Sequence, residues 1–144
     1  SAWNPADMKD MALPPCHYGF QVYVNNGKLD LMWQQRSVDV FLGLPYDIAM
    51  YGLLLELLAK GHGLKPGKLI GQLGDCHIYN NHIDQATTLM YRDPDTYHCP
   101  VLQLDTIGVC INSQNEINIP SLDSMILHGY EHMGEIKAPL NVGN

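Results

Sequence analysis

The alternation of apolar and polar residues near the start of the chain predicts a β-hairpin. Residues 16–24 and 28–38 each alternate as a strand buried on one face does. Between them, Asn25, Asn26 and Gly27 form a strong signal for a tight turn. The two strands therefore pair in antiparallel fashion. The start of the first strand then lies beside the end of the second.

Helical periodicity follows the hairpin. Apolar residues recur every three to four positions over residues 46–60 and occupy most faces, which predicts a largely buried helix. Glycines at 61 and 63 end that helix, and Pro66 with Gly67 is predicted to turn the chain. The remaining predicted elements are a strand over 69–79 interrupted at Gly74 and Asp75, a helix over 83–92 capped by residues 80–82, and strands over 101–104, 106–111 and 124–130.

Charge and cysteine content narrow the class of protein. The 144 residues carry a net charge of −7 and no basic run, which argues against a nucleic-acid-binding protein. No apolar run is long enough to span a membrane, and the first residues lack the pattern of a secretion signal. The four cysteines form no Cys-x-x-Cys pair. We interpret them as free thiols of a cytoplasmic protein.

Cys16 is a candidate nucleophile because of its place in the predicted hairpin. It follows Pro14 and Pro15 and lies across the open end of the hairpin from Arg36. A nearby guanidinium favours the thiolate, which is the reactive form of cysteine. From spacing alone a structural cysteine is the commoner interpretation, and the other three cysteines are assigned that role.

His77 and Tyr79 are candidate ligand-binding residues. They stand two positions apart on a predicted strand, so both side chains share one face and could bind a sugar hydroxyl. A buried histidine beside a core tyrosine is the simpler alternative. His77 and His82 lack a third ligand at a suitable spacing, so we expect no metal site.

Four segments together resemble the thymidylate synthase family. Residues 12–17 resemble its catalytic loop, residues 35–45 its phosphate and folate segment, and residues 73–82 its sugar-binding segment. Residues 129–130 and 136–139 resemble the segment that closes the site. The segments occur in the family's order and nearly at its spacing, which makes the combination far more specific than any one of them.

The resemblance implies an α+β fold, with a large mixed β-sheet layered with helices and used as a homodimer face. The chain begins at a point that the family reaches about midway. Residues 1–144 are therefore expected to be the C-terminal portion of one catalytic domain. The N-terminal half of the fold would then come from elsewhere, and a separate chain is one possible source.

The resemblance also implies a reaction and the residues that serve it. A pyrimidine deoxynucleotide 5′-monophosphate would receive a one-carbon unit at C5 from 5,10-methylenetetrahydrofolate, which acts as co-substrate. The implied catalytic residues are Cys16, Arg36 and Asp39, with Cys16 as the nucleophile that attacks C6 and Arg36 near its thiolate. Arg36 and Ser37 would also bind the phosphate, and Gln35 would order the site beside it. Asp39 and Gly43 would bind the folate, and His77 and Tyr79 would bind the 3′-hydroxyl.

Asp47 departs from the family pattern, which has Asn at this position. An amide can both donate and accept, as the O4 and N3 edge of uracil requires. An ionised carboxylate only accepts, which suits the amine of cytosine and repels O4 of uracil. We therefore expect dCMP as the substrate, with a methyl or a hydroxymethyl product. The alternatives are a true thymidylate synthase that makes dTMP from dUMP, and a non-catalytic nucleotide- or RNA-binding fragment.

Overall fold

The computed structural model describes residues 4–105 and 108–141. Its two α-helices are α1 (Leu44–Gly61) and α2 (Ile83–Met90). Its strands are β1 (His17–Asn25), β2 (Lys28–Asp39), β3 (Lys65–His77), β4 (Val101–Leu104), β5 (Cys110–Ile111), β6 (Ile117–Asn118) and β7 (Met125–His128). Single 3-10 turns lie at Met8–Asp10, Asn80–His82, Pro94–Thr96 and Leu122–Ser124. Neither helix within these ranges combines the length and apolar character that crossing a membrane requires.

The central sheet has the strand order β1-β2-β3 and is mixed. β1 and β2 are antiparallel, whereas β2 and β3 are parallel and are connected through α1. The predicted hairpin turn is present, with Asn26 at φ 49° and Gly27 at φ 74°. The pairs β4–β7 and β5–β6 form two further two-stranded sheets. The architecture is thus α+β, although the largest sheet in the described ranges has only three strands.

The core lies between α1 and one face of the central sheet. Alternate residues of β2 point toward the helix, as the pleat of a strand dictates. The buried cluster consists of Leu29, Leu31, Trp33, Tyr51, Leu55 and Ala59. Leu31 and Ala59 are fully buried, so this part of the sheet and helix behaves as a solid interior.

The same face of the sheet continues onto β1, where no other described element covers it. Phe20, Val22 and Val24 are the cross-strand partners of core residues Trp33, Leu31 and Leu29, so they share the core-facing side. Each of the three nevertheless remains about half exposed, at 48%, 47% and 54%. The apolar face of the sheet is therefore wider than the helix that packs on it.

The predicted turn at Pro66 and Gly67 was wrong, because both residues lie inside β3. The β2–β3 register shifts between Leu29 and Leu31, opposite this dipeptide. Proline is tolerated at such an irregularity on an outer strand. A Cβ on Gly67 would collide with the side chain of Asp30, so the glycine permits the close approach of the two strands.

The predicted interruption at Gly74 was also wrong, because β3 runs unbroken to His77. A Cβ at Gly74 would collide with the backbone oxygen of Arg36. Glycine marks a close backbone contact here and not a break.

Several predicted boundaries moved. Residues 80–82 form a 3-10 turn and make no side-chain cap bond to α2, which ends at Met90. Of the strand predicted over 106–111, Cys110–Ile111 is a strand, and positions 106 and 107 lie outside the described residues. The strand predicted over 124–130 covers Met125–His128.

Candidate active site

A cavity of about 300 Å³ opens where β2 and β3 end and α1 begins. Parallel strands bring their C-terminal ends to the same edge, and the register pairs Ser37 with Asp75 and Asp39 with His77. The loop before β1 closes one side. Seven of the predicted site residues line this cavity, namely Cys16, Arg36, Ser37, Asp39, Gly43, His77 and Tyr79.

Arg36 holds the loop that carries Cys16. Its backbone N–H donates to the carbonyl oxygen of Cys16 at 2.9 Å. Its guanidinium donates from Nη2 to the carbonyl oxygen of Pro14 at 2.6 Å and from Nε to that of Pro15 at 3.4 Å. The half-buried Cys16 is a free thiol. One side chain thus fixes the approach of the loop and places a cation on the wall that Cys16 shares.

Asp39 ends β2 and shapes the turn into α1. Its Oδ1 accepts from the backbone N–H groups of Phe41 at 3.0 Å and Leu42 at 3.1 Å. The N–H of Gly43 donates to the Asp39 carbonyl at 2.9 Å, and a Cβ on this glycine would lie only 3.0 Å from that oxygen. One carboxylate oxygen is therefore structural, and Oδ2 is left for another partner.

His77 and Tyr79 lie together at the end of β3. Their rings meet edge to face, with centroids 5.0 Å apart and an interplanar angle of 85°. His77 Nδ1 is 3.3 Å from Asp75 Oδ2 but lacks hydrogen-bond geometry. Both side chains contribute to the cavity wall, although Tyr79 lies two residues beyond the end of β3 and not on the strand predicted over 69–79.

Asp47 and Gln35 do not line the Cys16 cavity. Asp47 faces a neighbouring apolar depression of about 690 Å³, together with His17 and Tyr51. Gln35 is buried, and it contacts one residue of the Cys16 cavity and one residue of this depression. Its Nε2 donates to Asp47 Oδ2 at 2.9 Å and to the carbonyl oxygen of Ser37 at 3.0 Å. Gln35 thus connects the residue predicted to recognise the base with one predicted to bind the phosphate.

Three further residues complete the surroundings of Asp47, and the sequence predicts no specific role in the site for any of them. Trp33 Nε1 donates to Gln35 Oε1 at 3.1 Å. His17 Nε2 lies 3.3 Å from Asp47 Oδ1, and the Tyr51 hydroxyl lies 3.3 Å from His17 Nδ1. Burial, and secondarily the charge of Asp47, raises the pKa of Tyr51 above its ordinary value of 10.0. The spacing of Asp47 and Tyr51, four residues apart on one helix face, was the available signal.

His82, which the sequence predicts only as part of a helix cap and not as a metal ligand, is fully buried. Its Nε2 donates to the carbonyl oxygen of Pro139 at 2.7 Å, and Asn141 Nδ2 donates to Asn81 Oδ1 at 3.0 Å. These contacts hold the segment around residues 139–141 against the 3-10 turn. His82 Nδ1 lies 3.9 Å from Asp39 Oδ2.

The family of the chain follows from comparison with known proteins. The thymidylate synthase family model matches residues 1–142. The chain belongs to the thymidylate synthase family. This confirms the family predicted from the motifs. A relative, the probable thymidylate synthase of Escherichia phage T5, is 61% identical over 95 residues, which are 65% of this chain and 34% of that protein. The aligned part thus spans about a third of that thymidylate synthase relative.

Proposed function

We propose that this chain carries the nucleotide site of an enzyme that transfers a one-carbon unit to C5 of a pyrimidine deoxynucleotide 5′-monophosphate. The co-substrate would be 5,10-methylenetetrahydrofolate. The observation that carries the proposal is the shared cavity. It is lined by six functional groups for which the sequence predicts a role: a thiol, a guanidinium, a hydroxyl, a carboxylate, an imidazole and a phenol.

Cys16 acts as the nucleophile in this proposal. Its thiolate adds to C6, and the C5–C6 electron pair moves to C5. C5 then forms the new carbon–carbon bond to the one-carbon unit. Loss of the C5 proton then breaks the bond to the folate nitrogen and leaves an exocyclic methylene at C5, with Cys16 still bonded to C6. Hydride from the released tetrahydrofolate, which is oxidised to dihydrofolate, gives a methyl group, and hydroxide from water gives a hydroxymethyl group. Either addition restores the C5–C6 double bond and expels the Cys16 thiolate unchanged.

Arg36 and Ser37 bind the phosphate. A guanidinium has five N–H donors, and two of them serve the loop carbonyls, so three are left for an anion. The Ser37 side chain makes no hydrogen bond within the described ranges. His77 and Tyr79 take the 3′-hydroxyl, which places the sugar between the two ends of the cavity. Asp39 Oδ2 and Gly43 take the folate.

Asp47 favours dCMP over dUMP. Its carboxylate is largely buried, with 13% of the side chain exposed, so a mismatched O4 oxygen beside it would be costly. The amine of cytosine can donate to it. The similarity to the probable thymidylate synthase of the phage favours the alternative, a thymidylate synthase that acts on dUMP.

A further polypeptide segment covers the exposed apolar residues of β1. Phe20, Val22 and Val24 continue the core face but lack a covering layer, and the relative is far longer than the matched region. The N-terminal half of the fold is the proposed cover, on the same or a separate chain. The complete enzyme is proposed to be a cytoplasmic homodimer.

Adduct formation tests this function. The complete enzyme is incubated with 5-fluoro-dCMP or 5-fluoro-dUMP and methylenetetrahydrofolate, because fluorine at C5 cannot leave as a proton does. Mass spectrometry should find a covalent nucleotide on the peptide that contains Cys16. The Cys16→Ala variant should bind nucleotide and form no adduct. Nucleotide binding without an adduct in the unmutated enzyme would favour the non-catalytic alternative.

A further inference from the structure

The Asp47 carboxylate belongs to a closed set of five contacting side chains, called the polar ring. Its members are Trp33, Gln35, Asp47, His17 and Tyr51. The ring joins β1, β2 and α1. Trp33, Gln35 and Tyr51 are 3%, 4% and 7% exposed, so water does not substitute freely for these partners. Trp33 and Tyr51 also stack at 5.0 Å with an interplanar angle of 13°.

One side of the ring has a fixed hydrogen-bond polarity. The indole N–H of Trp33 can only donate, so it must face the oxygen of the Gln35 amide. The Gln35 nitrogen then faces Ser37 O and Asp47 Oδ2, and its two hydrogens serve those two acceptors. Whatever residue occupies position 47 must therefore present an acceptor toward Gln35.

The other side of the ring can reverse its polarity. Asp47 Oδ1 lies 3.3 Å from His17 Nε2, and two bare lone pairs at that distance would repel, so the proton belongs on Nε2. His17 Nδ1 is then the acceptor for the Tyr51 hydroxyl. An asparagine at position 47 would keep its oxygen on Gln35 and turn its NH₂ group toward His17. His17 would then have to accept at Nε2 and carry its proton on Nδ1.

We propose that His17 and Tyr51 form an adaptor that allows position 47 to carry either a carboxylate or an amide. His17 changes tautomer with the residue at 47. The Tyr51 hydroxyl accommodates both forms because it can donate or accept. His17 and Tyr51 are thus specificity-determining positioning residues. The consequence for base choice rests on the proposed function, whereas the tautomer itself does not.

Nitrogen NMR of ¹⁵N-histidine-labelled protein tests the adaptor directly. Spectra are recorded on the complete protein near pH 8.5, above the usual titration range of histidine. The signals of His17 are identified by their absence in His17→Gln. His17 should be protonated on Nε2 in the unmutated protein and on Nδ1 in Asp47→Asn. The same tautomer in both proteins would overturn the proposal.

Tyr51→Phe provides the second measurement. Phenylalanine keeps the stacked ring but removes the hydroxyl that accepts from the Nδ1 tautomer. Without the hydroxyl, the Nδ1 tautomer leaves an N–H donor without an acceptor, whereas the Nε2 tautomer leaves only a lone pair unpaired, which costs less. The gain in dUMP binding produced by Asp47→Asn should therefore shrink about 10-fold in the Tyr51→Phe background. Tyr91→Phe is the matched control, because Tyr91 is 87% exposed and does not line the depression that Asp47 faces, so it should leave the gain unchanged.

The two readouts separate the adaptor from the base assignment. A change of tautomer without any change in base preference supports the adaptor and counts against dCMP as the substrate. Equal effects of Tyr51→Phe and Tyr91→Phe on the gain would overturn the adaptor, because the buried hydroxyl would then have no special role.

Discussion

The Cys16 cavity and the polar ring around Asp47 adjoin each other yet differ in how their polar groups are paired. In the described ranges the side chains of Cys16, Ser37 and Tyr79 make no hydrogen bonds, although all three line the cavity. In the ring, Gln35 uses both its amide oxygen and its amide nitrogen on protein partners. Unpaired polar groups in a cavity gain partners when a ligand binds, whereas paired ones are oriented in advance.

That difference assigns the two regions separate tasks. In the proposed function, the cavity would supply the groups that bind and attack a substrate. Within the described part of the chain, the side-chain donors of the ring are already paired, so the ring fixes one carboxylate in a defined orientation. Substitutions in the cavity should therefore change binding and reaction rate. Substitutions in the ring should change the choice between substrates.

The largest effect is expected for Arg36→Ala. The substitution removes both guanidinium bonds to the loop carbonyls and the positive charge from the cavity that Cys16 lines. Charge-assisted hydrogen bonds contribute about 1.5–3 kcal/mol each, so the rate of adduct formation should fall by about 100-fold or more. Stopped-flow or quench measurements of adduct formation at saturating nucleotide provide the test.

Arg36→Lys is the control for charge. Lysine keeps the positive charge but cannot reach two carbonyls with a planar fork. It should recover nucleotide binding better than it recovers the rate. Full recovery of both would show that charge alone matters and that the loop contacts do not.

Asp47→Asn should reverse the substrate preference while leaving the adduct-forming chemistry intact. One mismatched buried hydrogen bond costs about 1–3 kcal/mol. The ratio of dCMP to dUMP affinity should therefore change by about 10- to 100-fold in favour of dUMP. Isothermal titration with each nucleotide measures the ratio. Tighter binding of dUMP than of dCMP by the unmutated protein near neutral pH would refute the base assignment.

Asp39 belongs to both the cavity and the backbone, and its variants should separate the two roles. Asp39→Ala removes the acceptor for Phe41 and Leu42 N–H, which should destabilise the fold by about 1 kcal/mol in addition to weakening folate binding. Asp39→Asn keeps an oxygen acceptor for the turn and should weaken folate binding with less loss of stability. Urea unfolding and folate titration measure the two effects. Equal loss of nucleotide and folate binding would contradict the folate assignment.

The elements that sequence predicted well are those whose signals are local. Alternation and an Asn-Asn-Gly turn define the hairpin, and helical spacing defines α1. Pro66 and Gly74 misled the prediction because whether a strand can contain them depends on the neighbouring strand β2, which is distant in sequence. A local breaker signal cannot reveal that the breaker lies at a close contact between strands.

The cavity residues could be predicted because they lie within the sequence segments that resemble the family's motifs and occur in the family's order. The polar ring could not, since its members come from three elements and have meaning only through contacts. Trp33 looks like any core residue on an alternating strand, and only its bond to Gln35 gives it a further role. The uncovered face of β1 was equally invisible, because burial depends on what packs there.

The smallest expected effect concerns the titration of Tyr51. Burial and the charge of Asp47 raise its pKa, so the folded protein keeps a proton that the unfolded chain loses near pH 10. This contribution to stability is complete below about pH 10 and is lost as pH rises through the raised pKa. Unfolding free energies measured from pH 9 to 11 should therefore fall less steeply in Tyr51→Phe.

In Asp47→Asn the pKa of Tyr51 should decrease yet stay above 10.0, because burial is the larger cause. Absorbance near 295 nm, taken as the difference from Tyr51→Phe, measures it, and an unchanged pKa would mean that the charge at position 47 does not reach the phenol.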